Sequence, residues 1–310
     1  MSISMGVDHI GVGATDADRA ARFYGDLGFT EVAFDYTGAL PGLERVAGRP
    51  DVRARVVMLR NPGATVLGLG AVKLVQVLDR PVPPLPDGIA WGERGICEVC
   101  VHVRDYPALY RRLVDERGYP ALMEPDESVL TPHDTRCGLA YTADPDGGKV
   151  ELIEWHDLEA GWPLATGPQG VHHVAFGVAD IERTRDFYGA LGFTGMLFES
   201  DGYFEPMHPW YRGEPPRQRM MCLTNPRGAG LEPVQHYPPS PDMRGEWGHA
   251  GAMEFAIGVR NLEVAAGQLR ERGIELLCEP QTIDVGSGEW RYAYFVDPDE
   301  LYVCLTESRY

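Results

Sequence analysis

The segment VDHIGVGATDADRAARFYGDLGF at residues 7–29 returns without a gap as VHHVAFGVADIERTRDFYGALGF at residues 171–193. Both copies open on an apolar run (7–12 and 171–178), turn at Asp16 or Asp180, and continue through Phe-Tyr to Leu-Gly-Phe. An aspartate in that place is suited to accept hydrogen bonds from the first free amides of a helix. Gly28 and Gly192 are suited to end the helix in the left-handed conformation that a side chain opposes. The spacing therefore predicts one strand-helix unit used twice, and a repeat of this kind decides the fold before any single residue does.

A weaker pair extends the pattern. ICEVCVHVRDYPALYRRLVDERGYPALMEP from residue 96 and AMEFAIGVRNLEVAAGQLRERGIELLCEP from residue 252 share a strand, a polar turn, a helix ending in Glu-Arg-Gly, and a following Glu-Pro. Short apolar runs follow each helix. In the first copy they are 55–59 and 72–78, separated by Asn61-Pro62-Gly63. In the third they are 220–223 and 231–236, separated by Asn225-Pro226-Arg227-Gly228. The second and fourth copies close through Asp144-Pro145-Asp146-Gly147 and Asp297-Pro298-Asp299-Glu300, turns that lead into a last strand. An α+β chain of four βαβββ modules is expected, over 6–80, 95–156, 170–237 and 250–307, with curved mixed sheets enclosing clefts. The proline-rich stretches 81–86 and 238–241 and the segment 159–169 read as stiff connectors. A length of 310 residues suits two cores. The expected domains are thus 1–160 and 168–310, each made of two adjacent modules.

Composition narrows the class of partner. Asp and Glu number 46 against 28 Lys and Arg, a formal charge of −18, so a phosphate-backbone partner is excluded and a small molecule expected. No apolar run approaches the roughly 18 residues of a membrane span and the N-terminus lacks a signal-peptide core, so a soluble cytoplasmic protein is expected. The six cysteines are scattered and expected to be reduced. Cys97 and Cys100 have CxxC spacing, but no second pair completes a zinc site, and the apolar tract 96–101 around them reads as buried packing.

Candidate chemistry comes from aligning the modules. Counting back seven positions from the turn residues Asp16, Asp105, Asp180 and Asn261 gives His9, Glu98, His173 and Glu254, four potential metal ligands at one position of an apolar strand. On the last strands, Glu151 lies seven residues after Asp144 and Cys304 seven after Asp297. In the odd modules Gln76 and Gln235 are taken as the matching position. Glu154 and Glu307, three residues further on, fall on the opposite sheet face by period-two alternation and read as solvent-facing. His102, His172 and His236 adjoin or alternate with these positions, and a register slip of one would replace Gln235 by His236. His133 and Glu289 precede the final strands and are candidate supporting or acid/base groups.

A strand followed by Phe-Tyr and Leu-Gly-Phe, then Asp-Pro-Asp-Gly before a strand carrying Glu, resembles the vicinal oxygen chelate superfamily. This is the group of glyoxalases, bleomycin-resistance proteins and extradiol dioxygenases, and the resemblance covers nearly the whole chain. It implies a divalent metal held on the first and last strands of two paired modules. Mapped onto this chain, the first set is His9, Gln76, Glu98 and Glu151, and the second is His173, Gln235, Glu254 and Cys304. The first offers one nitrogen and three oxygens, suited to Fe, Mn, Ni, Co or Zn with positions left open for substrate. The second reads as an altered or lapsed site, with Cys304 either a thiolate ligand or a small buried hydrophobe.

The dioxygenase triad of two histidines and one glutamate would fall on His173, Glu254 and Cys304, where only one residue matches. The expected activity is therefore that of a metal-dependent lyase or isomerase of glyoxalase or epimerase type acting on a small oxygenated metabolite, with Glu98 or Glu151 as base. An extradiol-type dioxygenase of atypical ligand set is the alternative. A third reading, a non-catalytic drug- or metabolite-binding protein, would stack its ligand on Tyr203, Phe204, Trp210, Tyr211 and Trp247. Pairing within one chain implies a monomer or a homodimer.

Overall fold

The structure is a computed structural model that describes residues 4–65, 68–86, 91–130, 134–157, 165–204, 207, 210–211, 213–227 and 229–309. The first module contains β1 (Ser4–Gly13), α1 (Ala17–Asp26), β2 (Glu31–Ala39), the single turn α2 (Glu44–Ala47), β3 (Arg53–Arg60) and β4 (Ala71–Val77). The second contains β5 (Gly95–Arg104), α3 (Tyr106–Arg111) prolonged by a π turn (Arg112–Glu116), β6 (Ala121–Leu130), β7 (Thr135–Ala143) and β8 (Lys149–Trp155). The third runs β9 (Gly167–Gly177), α4 (Ile181–Leu191), β10 (Gly195–Gly202), β11 (Arg217–Thr224) and β12 (Gly230–Tyr237). The fourth runs β13 (Gly251–Val259), α5 (Leu262–Glu271), β14 (Leu276–Asp284), β15 (Glu289–Val296) and β16 (Tyr302–Arg309). All four are βαβββ modules.

Two curled eight-stranded sheets result, ordered β14-β15-β16-β13-β1-β4-β3-β2 and β10-β11-β12-β9-β5-β8-β7-β6. The first joins module one to module four through the antiparallel pair β1 and β13. The second joins module two to module three through β5 and β9. Each sheet, and the cleft it encloses, therefore crosses the expected domain boundary between 160 and 168. Of the expected connector 159–169, residues 159–164 lie outside the described residues, and β9 already begins at Gly167.

Adjacent modules meet instead through helices and the Asp-Pro-Asp turns. Asp146 accepts from Thr15 N (2.9 Å) and Arg19 Nη2 (2.8 Å), and in the other half Tyr188 OH donates to Asp297 Oδ2 at 2.8 Å. A tyrosine hydroxyl whose removal strips a donor from a buried carboxylate is costly to lose. Tyr188→Phe is accordingly expected to destabilise the protein by about 1–3 kcal/mol. Tyr24→Phe should cost less, because the Tyr24 hydroxyl is 3.5 Å from Asp144. Urea unfolding of the two variants measures the difference, and equal losses would contradict this account.

The largest buried cluster lies between the sheets. It combines helix residues such as Phe23, Tyr24, Leu109, Tyr188 and Leu269 with the sheet residues Val99, Val174 and Phe255. A second cluster lines the first sheet's cleft, with Trp247, Trp290, Tyr292, Tyr294 and Cys304. A third lines the other cleft, with Cys100, Tyr141, Trp155, Phe198 and Cys222. All six cysteines are buried free thiols, Cys97 and Cys100 among them.

Helix starts follow the sequence closely. Asp16 accepts from Arg19 N, Asp180 from Glu182 N and Arg183 N, and Asn261 from Val264 N. Gly28 and Gly192 adopt φ of 91° and 111° past the helix ends. Asp105 differs: it has φ 63° and makes no side-chain cap. Its helix is capped from the neighbouring strand, where Glu154 Oε2 accepts from Asp105 N (2.8 Å) and Tyr106 N (3.3 Å). The same job falls to Gln76 for Ala17 N, Gln235 for Ile181 N and Glu307 for Leu262 N. Glu154 and Glu307 thus face the helices rather than solvent, because orphaned helix amides draw an acceptor from whatever packs over them. Among the described residues no helix is long and apolar enough to cross a membrane.

Candidate metal centre

Four polar side chains converge on the second sheet's cleft: Glu98 on β5, Glu151 on β8, His173 on β9 and Glu232 on β12. Register places them together. Cys100 pairs with both Glu151 and His173 across its two neighbouring strands, and β12 pairs in parallel with β9 so that Glu232 lies beside Ala175. His173 Nε2 is 2.8 Å from Glu232 Oε2, 3.4 Å from Glu151 Oε2 and 3.9 Å from Glu98 Oε1. All four side chains are buried. His173 Nε2 is ion-paired to Glu232 but makes no well-formed hydrogen bond. Neither do Glu98 Oε2 and Glu151 Oε2. Glu98, Glu151 and His173 each offer a ligand atom, and these atoms lie within 4.8 Å of one another.

Neighbouring groups hold this arrangement. Trp155 Nε1 donates to His172 Nε2 at 2.9 Å, and His172 Nδ1 is 2.6 Å from His173 Nδ1, which fixes the His173 ring with Nε2 toward the carboxylates. Tyr141 hydrogen-bonds Glu98. Burial pushes the proton affinity of Glu98 up, and that of Glu151 rises to about 8 through burial and then the charge of Glu98. Burial alone would depress His173, but Glu232, Glu98 and Glu151 outweigh it and raise it to about 10. Burial, followed by the nearby His173 and His102, holds His172 well below its ordinary value. A second grouping, Cys100, His172 and His173, is equally close. It is the poorer site, because both nitrogens of His172 are already engaged and burial keeps the Cys100 thiol protonated.

The corresponding positions in the first sheet hold His9 on β1, Lys73 on β4, Glu254 on β13 and Cys304 on β16. Lys73 is ion-paired to Glu254 Oε1. Tyr294 OH donates to the same oxygen at 3.2 Å, and Trp247 Nε1 donates to Glu254 Oε2 at 2.6 Å. Gly11 leaves the space: a Cβ there would stand 2.3 Å from Glu254 Cγ. His9 Nδ1 is 2.8 Å from Asp8 Oδ1, and burial and then Lys73 lower its proton affinity.

The two expected ligand sets are therefore recombined. Glu98 and Glu151 share a cleft with His173, and His9 shares one with Glu254 and Cys304. Gln76 and Gln235 are in neither, being engaged at the starts of α1 and α4. Their places are taken by Lys73 and Glu232, each three residues earlier. The signal was present in the sequence. Glu232 lies seven residues after Asn225, the same count that gives Glu151 from Asp144 and Cys304 from Asp297. Asn225 accepts from Arg227 N as Asp144 does from Asp146 N and Asp297 from Asp299 N, so the three turns are equivalent. Module one hides the rule, because its chain between Asn61 and Lys73 is longer.

Of the other candidates, His102 meets Thr65 Oγ1 at 3.3 Å, His236 is buried against the Tyr211 ring, Glu289 is exposed, and His133 lies outside the described residues. Trp210 packs edge-on against Tyr141 with ring centroids 4.6 Å apart, which places it beside the second-sheet cleft. Trp247 belongs to the other cleft, Phe204 packs 6.0 Å from Trp91, and Tyr203 is exposed.

Comparison with known proteins agrees with this fold. The profile of the Glyoxalase/Bleomycin resistance protein/Dioxygenase superfamily matches residues 170–305. An uncharacterized protein of Bacillus subtilis, YwkD, is 29% identical over 141 residues, which is 45% of this chain and 98% of that protein. Glyoxalase I from Zea mays has the same fold at 18% identity, with a TM-score of 0.59 over 97% of this chain and 92% of that one. So has a putative dioxygenase from Bacillus subtilis at 12% identity, with a TM-score of 0.59 over 99% and 86%. Residues 170–305 thus match the glyoxalase, bleomycin-resistance and dioxygenase superfamily in sequence, and all four modules share the fold of glyoxalase I.

Proposed function

We propose that the second-sheet cleft binds one divalent metal ion through Glu98, Glu151, His173 and Glu232 and performs a lyase or isomerase proton transfer on a small oxygenated metabolite. The observation that carries this reading is the convergence of three buried ligand atoms that make no hydrogen bond, Glu98 Oε2, Glu151 Oε2 and His173 Nε2. A buried polar atom left without a hydrogen bond costs about 1–3 kcal/mol. A cation at their centre satisfies all three atoms at once. One nitrogen and three oxygens suit Mn, Fe, Co, Ni or Zn. Such an ion supplies Lewis-acid polarisation of a substrate oxygen.

The protein's own groups then divide the work. Glu151, whose proton affinity is lifted by burial, would take a proton from a carbon beside the substrate carbonyl and return it to the substrate. Tyr141 steadies Glu98, and Trp155 with His172 fixes the ring of His173. Trp155, Phe198 and Cys222 keep water out. A dioxygenase is less favoured, because one imidazole with three carboxylates differs from the two-histidine, one-carboxylate set of many oxygen-activating iron sites.

Protons compete with the metal, which gives this reading a pH dependence. In metal-free protein Glu98, Glu151 and His173 all hold protons more tightly than their ordinary values. Through these three groups the folded state binds more protons than the unfolded one, so the stability they contribute falls as pH rises from about 5, through about 8 for Glu151 and about 10 for His173. Metal affinity should tighten over the same interval as Glu151 loses its proton. The check is Mn²⁺ titration of chelator-stripped protein at pH 6 and 8, with thermal melts of stripped protein and its Glu151→Gln variant. Activity is read as metal-dependent exchange of solvent deuterium into the carbon next to a carbonyl. A protein without metal affinity that binds small ligands regardless would be a sequestering protein, and oxygen uptake with a catechol would indicate a dioxygenase.

A further inference from the structure

The first-sheet cleft occupies the equivalent place in the fold, yet His9, Lys73, Glu254 and Cys304 do not form a set that fits a divalent cation. We infer that this cleft is filled by the chain's own groups, with the Lys73 ammonium where the other cleft would hold its metal. Segment 40–52 closes the entrance, so the cleft is a metal-independent clamp between the two halves.

Three observations support this inference. Lys73 and Glu254 are each 0% exposed and paired to one another, so a cation is already at the ligand position. Lys73 also donates to Tyr294 OH at 3.1 Å and stands 5.1 Å from the centre of the Trp290 ring, contacts that hold an ammonium without further anions. Both oxygens of Glu254 are satisfied, Oε1 by Lys73 and Tyr294 and Oε2 by Trp247. In the other cleft Glu98 and Glu151 each keep an oxygen without a hydrogen bond, whereas here His9 Nε2 and Trp290 Nε1 lack one but neither oxygen of Glu254 does. Finally, Leu40, Leu43, Val46 and Val52 are buried in the same cluster as Trp290 and Tyr292. That segment of module one is fastened to module four, by Tyr292 OH donating to Pro41 O (2.9 Å) and by Arg45 Nη1 donating to Leu276 O (3.2 Å).

The comparison rests on reading the second-sheet cleft as the metal site, and the experiment separates the two. Full-length protein and a variant carrying Glu151→Gln with His173→Ala are equilibrated with Mn²⁺, freed of excess, and assayed for metal per chain by elemental analysis. One equivalent in the parent and none in the variant is expected. A full equivalent remaining in the variant, or two in the parent, would overturn the inference. No metal in either protein would refute the second-sheet reading while leaving this one standing. Adding Lys73→Glu to the variant should create a site and raise its content from zero to one equivalent. A folded charge-reversed protein that still takes up no metal would show that Lys73 is not what excludes the cation. If that protein does not fold, the stoichiometry of the first variant decides alone.

Discussion

Replacing Lys73 with methionine is expected to lower stability by about 3–5 kcal/mol, the range for breaking a buried ion pair from one side. The reason is what stays behind. Glu254 is fully buried, and without Lys73 its charge is left to two neutral donors, Trp247 and Tyr294. Because Lys73 is on β4 and Glu254 on β13, the loss also loosens the seam that holds module one to module four. Adding Glu254→Gln removes the stranded charge, so the double variant should recover much of the loss. Arg45 and Glu275 form an ion pair of the same type at the surface, 57% and 75% exposed, and breaking that pair should cost under about 1 kcal/mol. Urea unfolding of the three variants measures all of this. A Lys73→Met loss no larger than the surface one would mean that the pair is not what joins these modules.

The second large effect is on metal binding. His173→Ala removes the one nitrogen donor and should weaken Mn²⁺ binding by on the order of 100-fold or more, since even groups that only orient a ligand are worth about 10–100-fold. Glu232→Gln should also weaken binding. Gln76→Ala and Gln235→Ala should leave affinity unchanged and cost about 1 kcal/mol of stability each, the price of a helix cap. Isothermal titration separates the two groups of variants. If Gln235→Ala weakened metal binding as much as Glu232→Gln, the register of β12 against β9 would be wrong.

The repeat made the fold legible because its signals are local. Asp16, Asp180 and Asn261 cap helices within their own module, and Gly28 and Gly192 end them. Which modules share a sheet was not legible. That choice depends on the edges offered by β1, β5, β9 and β13 and on contacts such as Asp146 to Arg19, which join residues more than 120 positions apart. The cleft-facing position on the first strands was equally readable, since packing alone would place Val, Ile or Leu there, and all four apolar strands carry a histidine or glutamate instead. The last-strand position failed in the odd modules for a physical reason. A glutamine accepting from a helix amide and a glutamate facing the cleft sit on the same strand three residues apart, and the sequence marks both as polar interruptions of an apolar run. Only the turn at Asn225 distinguishes them. Lys73 was missed because a lysine in a strand is ordinarily solvated, and only the structure shows Glu254 beside it.

In the proposed function one metal site draws ligands from both halves of the chain, Glu98 and Glu151 from one and His173 and Glu232 from the other. Its most direct test is anomalous X-ray diffraction from crystals grown with Mn²⁺. A single strong peak is predicted within roughly 2.0–2.3 Å of those four side chains, the range of metal–nitrogen and metal–oxygen bonds. A peak beside His9 and Glu254, or one whose ligands all come from a single half, would contradict it.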